Sequence, residues 1–72
     1  MNMTTKAVSD RIEIHPDICF GKPHIKNTRI KVSFILELLA SDWTMEEILV
    51  EYPHLEKDDI WACLDYASHE MD

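Results

Sequence analysis

The amino-acid sequence predicts a mainly α domain of three helices with a helix-turn-helix outline, preceded by a short β segment. Three observations predict it. From Val32 onward, apolar residues recur at the three-and-four spacing of a buried helix face. Thr44-Met45-Glu46-Glu47 carries the residues of a capping box ahead of a second apolar run. Arg11-Ile12-Glu13-Ile14 instead alternates charged and apolar residues, as a half-buried strand does.

Residues 1–9 lack apolar periodicity and are expected to form a flexible N-terminus, leaving residues 10–72 as one domain. The strand at residues 11–14 ends at His15-Pro16-Asp17, because proline cannot donate to a ladder and Asp favours a turn. Ile25, Ile30 and Val32 are β-type residues that allow one or two further short strands. Ser33 can cap the first helix, which buries Ile35, Leu38 and Leu39, has Trp43 just beyond, and ends near Ser41-Asp42.

The second helix opens at the Thr44/Glu47 box, with Trp43 and Ile48 flanking it as a hydrophobic staple. It turns Met45, Ile48, Leu49 and Tyr52 inward and stops before Pro53, since the residue preceding proline is pushed out of the α region. The third helix starts near Glu56 or Lys57. Glu56, Asp58 and Asp59 suit the positive end of its dipole, and Ile60, Cys63, Leu64, Ala67 and Met71 trace its apolar stripe. Tyr52-Pro53-His54-Leu55 links the two helices in a helix-turn-helix outline.

With 72 residues, one core supplies only about 3 to 5 kcal/mol, so a second copy or a protein partner is expected. An apolar content of 46% and a charged content of 29% are those of a globular domain. With no long apolar run and no signal-peptide pattern, a cytoplasmic location is expected, where Asn2-Met3-Thr4 stays unglycosylated and Cys19 and Cys63 are free thiols.

The net charge of −7 hides a division. Through Lys31 there are six Lys/Arg against three Asp/Glu, and from Val32 onward one base against eleven acids. Lys22, Lys26, Arg29 and Lys31 lie in one segment with no acid between Asp17 and Glu37. Gly21, Pro23, Asn27 and Thr28 give that segment a backbone set by turn residues. The four cations are candidates for contact with DNA phosphates or with an acidic subunit. The alternative is that Arg29 and a lysine pair with acids of the same chain or of a second subunit. Phe20 alone does not make a stacking surface for single strands.

The acidic half is either a partner surface or a solvated face that keeps the chain soluble. Asp58, Asp59, Asp65 and Glu70 on the third helix oppose its insertion into a DNA groove. Trp61, with Asp58 and Asp65, is a candidate partner surface, or else closes the edge of a small core. His15, Cys19, His24, His54 and Cys63 show no CxxC or HxxxH spacing, and the histidines are expected in ordinary loop or surface places. Gly21-Lys22 is not a phosphate loop, and Cys63 falls on the core stripe. No catalytic residue, cofactor or metal is expected, and the chain reads as a non-enzyme.

The ordered series Ile14-x-Pro16-x-Ile18-Cys19-x-Gly21-Lys22-Pro23-x-Ile25, Thr28-Arg29-Ile30-x-Val32, Glu47-Ile48-Leu49, Tyr52-Pro53-x-Leu55 and Asp59-Ile60-x-Ala62 resembles the domain-of-unknown-function family 433. The resemblance implies a homeodomain-like domain with an N-terminal β segment and three helices. It also implies an antitoxin-like protein that neutralises a PIN-like or related nuclease toxin, with repression of the shared operon as an associated expectation; homodimerisation is expected from the small core. Asn27 and Asp42 stand where that family usually has Gly; both residue types tolerate positive φ.

Overall fold

The alternation at Ile12, Glu13 and Ile14 builds the central strand of a small antiparallel sheet. The computed structural model describes residues 5–70. Its elements are β1 (Lys6–Ala7), β2 (Ile12–Ile14), a 3-10 turn (Cys19–Gly21), β3 (His24–Ile25), α1 (Val32–Ala40), α2 (Met45–Glu51) and α3 (Lys57–Glu70). The strands lie in the order β1-β2-β3, and α3 packs against α1 and α2.

Strand β1 lies within residues 1–9, the segment expected to be a flexible N-terminus. Lys6 pairs with Ile14 and Ala7 with Glu13, while residues 1–4 lie outside the described part. The hairpin is closed by Ser9, whose Oγ accepts from the amides of Arg11 at 3.3 Å and Ile12 at 3.1 Å. Backbone pairing of this kind leaves no mark on apolar periodicity. In the β2–β3 register, Ile12 faces Ile25 and Glu13 faces His24, so the two isoleucines share the face turned to the helices and the polar pair shares the other.

Helix α1 starts at Val32, earlier than a Ser33 cap would allow. Lys31 holds the N-cap position without a side-chain bond, and the Val32 amide donates to the Pro23 carbonyl at 3.0 Å. A carbonyl distant in sequence thus satisfies one of the first amides of the helix, which have no acceptor within it. At the other end Asp42 has φ 76°, its amide reaching Leu39 O at 3.1 Å and that of Trp43 reaching Leu38 O at 3.0 Å. This is the Schellman arrangement with Asp in the usual place of Gly. The capping box of α2 forms as expected: Glu47 N–H donates to Thr44 Oγ1 at 3.1 Å, and Thr44 N–H donates to Glu47 Oε1 at 2.8 Å.

Ile12, Ile25, Val32, Ile35, Ile48, Leu55, Ile60 and Cys63 form the buried core. Leu38, Leu39, Trp43, Met45, Leu49 and Tyr52 pack against it half-buried, since a domain this small completes few side chains' burial. Phe34, which its spacing did not single out, meets Tyr52 edge to face with ring centroids 5.8 Å apart. Met71 of the expected stripe lies outside the described residues. Among those described, no helix is long and apolar enough to cross a membrane.

Candidate functional site

Turn residues set the backbone of the basic segment. Residue Gly21 has φ 75°, a conformation open to glycine at no steric cost. Asn27 has φ 65° at the third position of a turn in which Thr28 N–H donates to Ile25 O at 3.0 Å; a turn with positive φ there favours Gly or Asn. Thr28 fastens this loop twice. Its Oγ1 donates to Ile25 O at 2.7 Å and accepts from Ile30 N–H at 3.0 Å. Pro23 takes part through its carbonyl, the acceptor for the first amide of α1.

On this frame Lys22, Lys26, Arg29 and Lys31 are all exposed. Among the described residues the carboxylates in reach of a basic side chain are those beside Arg11, His24 and His69, and none lies beside these four cations. His24 departs from the expected loop or surface placement: it is fully buried, with Nε2 3.1 Å from Glu13 Oε2 and Nδ1 3.2 Å from Lys22 O. It ties the segment's entry to β2. Only the strand register, which sets Glu13 opposite His24, reveals this role.

Two open clefts share Arg29. One, of about 550 Å³, is lined by Pro16, Asp17, Cys19, Phe20, Arg29 and Lys31. The other, of about 370 Å³, is lined by Glu13, Ile18, Asn27, Thr28 and Arg29. The Cys19 thiol donates to Arg29 O at 3.2 Å and so joins the two loops that form them. Phe20, set aside in the sequence for want of other aromatics, is 94% exposed in the same cleft as Arg29 and Lys31.

The acidic surface is divided by Arg11. Its Nη1 bonds Glu56 Oε1 at 2.8 Å and Asp59 Oδ1 at 3.0 Å, while Nη2 lies 3.8 Å from Asp58. Hydrogen bonds to Glu56 and then to Asp59 raise the guanidinium pKa further above its ordinary value. Asp65 lies 3.9 Å from His69. Of the expected partner surface, Asp58 thus lies near the Arg11 guanidinium and Asp65 near the His69 ring, and Trp61 is 55% exposed between them on the helix.

A second acidic face was missed in the sequence. Trp43, Glu46, Glu47, Val50 and Glu51 line a shallow cleft on the outer side of α2, and Val50 is 81% exposed. Its signal was Val50 itself, an apolar residue off the stripe of Met45, Ile48, Leu49 and Tyr52. No group of three or more potential metal ligands occurs among the described residues.

Comparison with known proteins places this geometry among relatives. Residues 12–67 match the family described as a protein of unknown function, DUF433. The crystal structure of a DUF433 member protein from Anabaena variabilis superposes with a TM-score of 0.81 at 31% identity, covering 86% of this chain. The chain spans 61% of that protein's length. No curated protein matches the chain.

Proposed function

The chain belongs to the DUF433 family, and we propose that it serves there as a non-enzymatic, antitoxin-like binding protein. An acidic helical surface binds and neutralises a PIN-like nuclease toxin, and the basic segment contacts operator DNA. The observation that carries this reading is the separation of exposed charge that has no partner among the described residues. Lys22, Lys26, Arg29 and Lys31 meet no acid among the described residues, and Glu46 and Glu51 beside Val50 meet no cation there. Such groups can engage a complementary surface without first breaking an internal pair.

The three-helix order supports a homeodomain-like scaffold in which α3 is not the reader of DNA, because Asp58, Asp65 and Glu70 oppose phosphate. A homodimer would double the cations offered to a DNA backbone. Two free thiols fit a reducing, cytoplasmic setting.

Co-expression with the product of the neighbouring gene, followed by size exclusion, tests the reading. One co-eluting complex is expected, and Glu46→Lys with Glu51→Lys should dissociate it. The absence of a complex rejects it. A second reading, a stand-alone regulator acting through the basic segment, is favoured by the same four unpaired cations. It predicts promoter binding that weakens with salt and with Arg29→Ala and Lys31→Ala; binding untouched by these changes rejects it.

A further inference from the structure

We propose that the cleft of about 550 Å³ between Phe20 and Arg29 seats one nucleotide of a single-stranded nucleic acid, the base against the Phe20 ring and the phosphate against Arg29 and Lys31. This rests on the reading that the basic segment contacts nucleic acid.

The backbone supplies the first argument. Cys19 and Phe20 have φ 53° and 56°, a left-handed conformation that L-residues with side chains adopt at a cost, and the result is a phenyl ring 94% exposed to water. The loop is held in that state by its own bonds: Gly21 N–H donates to Ile18 O at 3.0 Å and Lys22 N–H to Cys19 O at 2.9 Å. The Cys19 thiol bond to Arg29 O then fixes the ring's loop to the loop that carries the guanidinium.

Chemistry supplies the second. Every base has a face that can stack on a phenyl ring, whatever the sequence, and a phosphate meets Arg29 and Lys31 as charge complements. The cleft's volume is within the range of small-ligand sites, of order 300 to 1,000 Å³. A duplex hides its base faces in its own stack, so the ring selects unpaired strands. Asp17, the one acid on the lining, opposes a second phosphate and can accept from a base amino group. DNA and RNA share the base and phosphate, and only the 2′-hydroxyl distinguishes them.

The test is fluorescence anisotropy of the full chain with labelled dT and rU oligonucleotides and a mixed-sequence duplex of equal length. Single strands are expected to bind more tightly than duplex, with a salt slope of about −0.7 for one phosphate contact. Phe20→Ala should weaken single-strand binding about tenfold or more and leave duplex binding unchanged. Phe20→Leu should behave like Phe20→Ala, and Phe20→Trp should retain binding, which separates stacking from mere apolarity. The ring is exposed, so thermal unfolding should not change in any of these variants. Single-strand binding indifferent to Phe20→Ala overturns the proposal, as does duplex binding that equals or exceeds it; both outcomes leave the basic-segment reading standing. No binding to any of the probes defeats both.

Discussion

Cys63 shows how burial at one residue governs the response of the fold to pH. Removal from water first, and the charge of Asp59 second, push its thiol from 9.0 up to about 12. The native state therefore holds this proton after the unfolded chain has released it. The resulting stability is present below about pH 9 and is lost as pH rises towards 12. Tyr66 shifts in the same direction, burial acting first and Glu70 second, so it adds to the slope. Chemical denaturation at rising pH should show a midpoint falling above pH 9, and Cys63→Ala should flatten that fall at a cost of about 1 kcal/mol. A thiol reagent on the native protein should label half-buried Cys19 and spare Cys63 until unfolding. Asp42 sets a second expectation. Its positive φ is more comfortable for Gly, so Asp42→Gly should raise stability by up to about 1 kcal/mol in the same denaturation experiment. Asn27 and Asp42 were legible as left-handed positions because the family the sequence resembles usually has Gly there and both residue types tolerate that backbone. Cys19 and Phe20 were not, since nothing in either side chain announces that backbone.

At the scale of elements, legibility follows how far away the partner lies. The start of α2 was readable because Thr44 and Glu47 cap each other three residues apart, and its end because Pro53 acts on its neighbour. The start of α1 was displaced because Val32 bonds Pro23, and the frame of α3 was hidden because Arg11 comes from the opposite end of the chain. Asp59 is the joint of that frame. Its Oδ2 accepts from Glu56 N–H at 2.8 Å while its Oδ1 accepts from Arg11, and it is only 7% exposed. Asp59→Ala removes the helix-start acceptor and leaves Arg11 with the more exposed Glu56 and Asp58. A loss of about 1 to 2 kcal/mol is expected from the capping role alone. Amide exchange should quicken first at Glu56 and the opening turn of α3; protection unchanged at Glu56 would show that the cap contributes nothing.

For the whole molecule, the division of charge was legible from composition, but the faces that display it were not. Arg11 attends the acids at the start of α3, so the unpaired acids beside an exposed apolar residue lie on α2, around Val50. A small fold with such a face has much to gain from a partner. Eight of the described residues make up its buried core, which implies a margin of only a few kcal/mol, and any ligand of the native state adds to that margin by mass action. A nuclease partner present at about 100 times its dissociation constant should add about 2.7 kcal/mol. At roughly 4 to 8 °C per kcal/mol for a domain of this size, that is a rise of about 10 to 20 °C in melting temperature. The rise should shrink in high salt if charge complementarity directs the association, and Val50→Gln should reduce it with little change in the melting of the chain alone, because Val50 is 81% exposed and the change adds no charge beside Glu46 and Glu47. A co-purified partner that leaves the melting temperature where it was would not be bound to the native fold.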